Sequence, residues 1–327
     1  MNNAERKFLY KITHAREFTL FLIVLACSVV VSVIEPAFLS RINLETTAKA
    51  FATSGVIAVA MTVVLVSGGI DLSVGSVYGL SSVVVGSLFT GLGMNVWLAA
   101  VVAVMAGMAV GLFNGFLISK VGLNPLISTL ASSIMARGLS LYITEGKTIN
   151  LRLLPGDFRF IGSGSVFGVP FSVLFFAVVV ILGIFSFKHL TVMRNVFYIG
   201  SNPKAAQFTG IRVGRIKVGV YVVSALLAAI GGIISVARFK AALPTGGTGM
   251  EMTAIAAAVI GGASLNGGEG TVFGTMLGCI LLSLIDDALV LLGISAYLQE
   301  FISGAILLIS VIVDQYNKRQ ARGGNLL

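Results

Sequence analysis

His14 and His189 are the only histidines in this chain, so histidine-based chemistry has very few starting points. Both lie in basic surroundings, with no carboxylate at metal-ligand spacing and no serine or cysteine placed as a nucleophile. Asp286-Asp287 suggests a metal-binding pair, but a third acid is missing four positions beyond Asp286, where Val290 stands. The pair reads instead as the mark of a re-entrant turn between half-helices. Gly146-Lys147-Thr148 has the tail of a phosphate-binding loop. That loop needs G-x-x-x-x-G-K-[ST], and Leu141 occupies the position of its first glycine. Cys27 and Cys279 sit in apolar runs, where a thiol behaves as a small hydrophobe. The expectation is a chain that is not an enzyme, holds no metal and binds no cofactor of its own.

Two glycine-rich segments remain. Gly68-Gly69-Ile70-Asp71-Leu72-Ser73-Val74-Gly75 and Gly261-Gly262-Ala263-Ser264-Leu265-Asn266-Gly267-Gly268 share the form G-G-x-x-L-[SN]-x-G. Each follows an Ala/Val/Ile-rich run and leads into another apolar run. Paired glycine breaks in two halves of a membrane chain point to a transport pathway. A chance match is the alternative in a chain with 39 glycines. We take Gly68, Gly69, Asp71, Ser73, Gly261, Gly262 and Asn266 as candidate pathway residues. Asp71 reads equally as a functional intramembrane acid or as an acid satisfied by backbone N–H groups at a helix end. Glu269 reads as an acid at the interface.

These breaks must be held by membrane helices. Of the 327 residues 57% are hydrophobic and only 11% charged, far below the ~25% charge of soluble domains. The chain is therefore expected to be an all-α polytopic bundle, one transmembrane domain over 1–327. Apolar runs near 18–34, 49–67, 74–92, 96–118, 126–144, 171–187, 216–236, 252–263, 271–292 and 296–313 predict about ten spans. Several fall short of the ~20 residues of a simple span, which predicts broken or re-entrant helices. Arg6, Lys7, Lys11 and Arg16 precede the first run, which ends without a small-x-small cleavage site and so reads as an uncleaved span.

Between the sixth and seventh runs lies a loop with Lys188, Arg194, Lys204, Arg212, Arg215, Lys217 and no acid. The tail carries Lys318, Arg319 and Arg322. Basic loops face the cytoplasm, so this loop and both termini are expected there, and the net charge of +9 needs no nucleic acid to explain it. The same loop holds a polar cassette over 198–217. Ser201 or Asn202 can cap a helix there, Pro203 suits its first position, and Gly210 can end it. The enclosed Lys204, Ala205, Ala206, Gln207 and Phe208 make a two-turn helix suited to docking on a soluble partner, the alternative being a solvated loop.

Three stretches, VVLVSGGIDLSVGSV at 63–77, IGSNPKAAQFTGIRV at 199–213 and EMTAIAAAVIGGASLNGGEGTVFGTMLG at 251–278, carry a resemblance. The weaker LNPLISTLASSIMARGLSLYITEG at 123–146 also fits. The chain resembles, over nearly its whole length, the permease of bacterial ATP-binding-cassette sugar importers of the ribose/xylose/galactose group. One departure is Ser201, where that family commonly has glycine. The resemblance implies the fold of the vitamin B12-importer (type II) permeases and two permease subunits, here expected as a homodimer. It also implies a cytoplasmic ATP-binding subunit, a periplasmic sugar-binding protein and a place in the bacterial inner membrane. Ser201–Phe208 with Gly210 would then be the coupling helix, and ATP would be bound by the partner alone. An ion-coupled secondary transporter and, further off, an integral-membrane enzyme are the competing classes. The first would need a buried acid within the spans, and Asp71 is its one candidate.

Overall fold

The computed structural model describes residues 16–323, without the side chains of several residues near its two ends. His14 and the basic residues Arg6, Lys7 and Lys11 lie outside the described residues, as do the side chains of Arg16, Lys318, Arg319 and Arg322. The chain runs through α1 (Arg16–Ile34), α2 (Arg41–Val66), α3 (Val74–Gly91), α4 (Val96–Phe116) and α5 (Pro125–Thr144). It continues through α6 (Gly156–Ser163), α7 (Phe171–His189), α8 (Thr191–Ser201) and α9 (Pro203–Phe208). The last elements are α10 (Val213–Phe239), α11 (Met250–Ile260), α12 (Val272–Leu291) and α13 (Ala296–Gly323). Eight of these helices, α1 to α5, α7, α10 and α12, are long and apolar enough to cross a membrane. The expected runs 252–263 and 296–313 correspond to shorter apolar stretches, Met250–Ile260 and Ala296–Ile309. The bundle is polytopic and all-α, its four strands being two residues each.

Polar caps set the helix starts. Ser40, Asn95, Asn124 and Thr271 each accept a backbone N–H from the first turn of α2, α4, α5 and α12, and Pro125 sits at the first position of α5. Between caps, the apolar surface is matched helix to helix. α2 and α10 form the centre, with Ile57, Met61, Leu65, Tyr221, Ala225 and Ala229 in one buried cluster. Gly107, Gly111 and Gly115 make a small-residue stripe along α4 at helical spacing. A methyl group on Gly107 would fall 2.8 Å from the Ala229 Cβ, and one on Gly115 2.7 Å from the Val218 Cα. Without side chains there, α4 and α10 approach backbone to backbone, the packing that bilayers favour where hydrophobicity gives no preference between helix and lipid.

At one end of the bundle, β1 (Ile149–Asn150) pairs antiparallel with β4 (Ala241–Ala242), and β2 (Ser165–Val166) with β3 (Val169–Pro170). The first pair ties the segment after α5 to the exit of α10. Trp97 stacks edge-on against the buried Phe158 of α6, 5.2 Å between centroids, and its Nε1–H donates to Asp157 Oδ2 at 2.8 Å. That hydrogen bond holds the Asp157 carboxyl below the usual aspartate range. Because a depressed folded-state pKa is lost only as pH falls through it, the bond should persist at neutral pH and break in strong acid. Trp97 is the sole tryptophan, so its emission should titrate with a midpoint below that of a free aspartate. The step should vanish in Asp157→Asn, and an unchanged titration in that variant would contradict the bond.

Past β4 the chain turns back into the bundle. Gly246 and Gly247 lie against the first turns of α3, and α11 begins there rather than at the bundle's end. Its 11 residues rise about 16 Å, half the thickness of a hydrocarbon core. This is the broken helix that the short run predicted. Asp286 and Asp287 do not mark a re-entrant turn. Both lie inside the continuous α12, where each serves a different face. Asp287 accepts hydrogen bonds from Asn43 Nδ2 at 2.7 Å and Thr47 Oγ1 at 2.8 Å, clamping α12 to the start of α2.

Candidate functional site

The cassette folds as its punctuation predicted. Asn202 caps α9, its Oδ1 accepting from Ala205 N at 3.0 Å, and Pro203 opens the helix. Gly210 ends it at φ +83°, with Ile211 N returning to Ala206 O at 3.1 Å. Ser201 is not the cap. It is the last residue of α8, its hydroxyl donating to Phe197 O at 3.0 Å. Lys204, Ala205, Gln207 and Phe208 face outward, Phe208 with 91% of its surface exposed. Ala206 alone is buried, 4% exposed. It therefore packs into the fold, so of the two alanines expected on the docking helix only Ala205 is presented outward. An unpartnered phenylalanine on a capped helix outside the apolar bundle is the kind of anchor that interfaces bury.

Helix α8 was not foreseen. It is amphipathic, with Val196, Ile199 and Gly200 buried and Met193 and Phe197 packed on the central cluster. The spacing 193, 196, 197, 200 is a helical stripe, hidden in the sequence by the surrounding basic residues.

The two glycine breaks come together at the inner end of α8. Gly268 N donates to Val66 O at 2.9 Å, joining the second break to the last turn of α2. A methyl group on Gly267 would lie 2.7 Å from Gly68 Cα and 2.8 Å from Gly200 O. The sequence match between the breaks does not extend to the backbone, however. Gly68 takes φ +75° while Gly69 does not, whereas in the other break Gly262 takes φ +103°. Gly69 is instead constrained by closeness, because a Cβ there would overlap the Tyr221 hydroxyl. Gly75 is helical, in the first turn of α3, and Gly268 is left-handed at φ +77°. Gly261 abuts Gly274 of α12, and Asn266 and Glu269 are exposed.

Asp71 is 1% exposed, and its partners are donors without charge. Ser73 N at 2.9 Å and Ser73 Oγ at 2.6 Å donate to Oδ1, and Ser224 Oγ at 2.8 Å donates to Oδ2. Ser73 Oγ in turn accepts from Asn114 Nδ2 at 3.0 Å, and Tyr221 donates to Ile70 O. The acid thus organises the turn into α3 and binds it to α4 and α10. A buried carboxyl is tolerated only when its lone pairs are occupied in this way.

Arg137 was missed as a site residue, although one arginine within an apolar span is itself a signal. Its Nη1 donates to Pro244 O at 2.6 Å and Gly246 O at 2.8 Å, and its Nη2 to Gly75 O at 3.3 Å. One guanidinium therefore pins the loop that leads into α11 to α3 and α5. Beside that loop lies a cavity of about 700 Å³ between α11, α12 and α13. Thr248, Thr253, Asp286, Gln299, Glu300 and Ser303 supply its polar wall, and none of the seven expected pathway residues is among its lining.

The structure is a membrane bundle with a half-helix, α11, and a short capped helix, α9, that faces outward. The family model described as the branched-chain amino acid transport system / permease component matches residues 43–311. The chain belongs to that family. It is a multi-pass membrane permease and not an enzyme. The ribose import permease protein RbsC of Escherichia coli strain K12 is 36% identical over 293 residues, 89% of this chain and 90% of that protein. The same permease of Bacillus subtilis strain 168 is 36% identical over 288 residues, 88% and 89% of the two chains. The L-arabinose transport system permease protein AraH of Escherichia coli strain K12 is 35% identical over 299 residues, 91% and 89%. No solved structure matches the chain.

Proposed function

We propose that this permease forms the transmembrane path of an ATP-driven importer for a monosaccharide, in the bacterial inner membrane. Two copies enclose the path, a cytoplasmic ATP-binding subunit drives it, and a periplasmic sugar-binding protein delivers the solute. The observation that carries the reading is α9, a capped, solvent-facing helix with Phe208 exposed at its end. A transporter driven by an ion gradient has no need of such a docking element. Asp71, the acid that an ion-coupled mechanism would use, is closed into hydroxyl partners away from the cavity. The named relatives import ribose and arabinose, which supports a sugar over the amino acids in the family's description.

Carboxylates, an amide and hydroxyls along the cavity suit a solute rich in hydroxyl groups, and its apolar wall favours weak, easily released binding. ATP binding closes the partner dimer, α9 moves with it, and the path turns to the other face. The glycine breaks allow that rearrangement without lining the cavity themselves. Both termini share the side of α9. Thr271 Oγ1, at the start of α12, donates to Glu17 of α1 at 2.5 Å, while Asp287 near its end reaches Asn43 of α2.

Reconstitution with the cognate binding protein and ATPase tests the assignment. Ribose or a related sugar should stimulate ATP turnover and uptake, and leucine should not. Stimulation by leucine alone would return the chain to amino-acid transport. In cells, a cysteine at Gln207 with Cys27 and Cys279 replaced should resist an impermeant thiol reagent. Labelling from outside would reverse the orientation.

A further inference from the structure

We infer that Gly200 is the positioning residue through which movement of the coupling helix reaches both glycine breaks at once. The inference rests on the proposed role of α9. Only Asn202 separates α8 from α9, and its N–H bonds Tyr198 O at 3.0 Å, so the last turn of α8 continues into the α9 cap. Displacement of α9 is therefore carried directly into Gly200 and Ser201.

The nearest neighbours of Gly200 are backbone atoms. A Cβ added there would fall on Val66 O and within 2.5 Å of Gly268 N, the two atoms of the hydrogen bond that joins the breaks. Its own carbonyl lies against Gly267, and Gly68 is the next neighbour of both. Four glycines from three separate segments thus meet largely backbone to backbone, with the Ser201 hydroxyl beside Gly268. Side chains would absorb a small displacement through rotamer changes, whereas backbone packed on backbone passes it on. Gly68 leads into the Asp71 turn and α3, and Gly267 leads back through Gly262 to α11 beside the cavity. One push on α8 consequently acts on the two sides of the path together. Glycine is required here by the closeness of approach, and at Gly267, with φ +84°, by conformation as well.

Hydrogen exchange in the assembled wild-type transporter reads this directly. On ATP binding, amides in 66–69, 199–202 and 264–268 should change protection together. A response in 199–202 without one in the two breaks would overturn the relay. Variants give the second reading. Gly200→Ala and Gly267→Ala should keep the co-purifying ATPase and its basal turnover but lose at least ten-fold of the sugar-stimulated turnover and of uptake. Where Gly200→Ala fails to accumulate, Gly267→Ala carries the comparison, and full stimulation in it would sink the inference. A wild-type complex that neither binds the ATPase nor transports sugar would instead refute the proposed function, which separates the two failures.

Discussion

Replacing Phe208 with alanine is expected to abolish ATP-driven uptake while leaving the permease folded in the membrane. The ring is 91% exposed in the isolated chain, so its removal takes nothing from the fold. Burying a phenylalanine contributes about 1.5–3 kcal/mol, so its loss should weaken ATPase binding by roughly ten- to a hundred-fold. Co-purification of the ATPase with the variant measures this. Gly210→Val should act in the same direction by another route. At φ +83° a β-branched residue is strained by roughly 1–3 kcal/mol, which loosens the end of α9. Ala206→Arg would not make this test, since its buried position would disturb the fold instead. Normal ATPase binding by Phe208→Ala would show that α9 is a solvated helix without a docking role and remove the main support for the importer.

Arg137→Ala should be the most damaging change within the bundle. It removes the donors to the carbonyls of Gly75, Pro244 and Gly246 from a half-buried position. Leaving a buried acceptor unpaired costs about 1–3 kcal/mol, a sizeable part of the stability of any domain. Uptake should fall to background, and the detergent-solubilised protein should unfold at a clearly lower temperature. Arg137→Lys should recover only part of the loss, because one ammonium cannot span three carbonyls as a planar fork does. Equal uptake in wild type and Arg137→Ala would mean that the loop leading into α11 is held by its own turns.

Much of this was legible in the sequence because it depends on local rules. Asn202, Pro203 and Gly210 announce a short helix through caps and φ preferences that need no tertiary partner. The apolar runs announce helices, and short runs announce breaks. What stayed hidden depends on which face of a helix meets which neighbour. Ala206 faces inward and Ala205 outward, and two alanines look alike in a sequence. Asp286-Asp287 looks like one feature, yet adjacent helical residues point about 100° apart, so one clamps α2 and the other meets the cavity. The glycine junction was half visible. Its members could be read as breaks, but their meeting with Gly200 joins positions far apart in the chain and rests on a helix the basic residues concealed.

The short α11 also bears on how this protein is made. A machinery that releases segments into lipid by their hydrophobic length has no reason to retain 11 residues across the bilayer. The half-helix packs between α2 and α12, and Arg137 of α5 takes the carbonyls of its leading loop, so it can settle only once these are in place. α13, which closes the cavity, emerges later still. Among the described helices, the three that enclose the cavity are therefore the last to emerge, and the compartment takes shape only on a bundle whose other helices already stand.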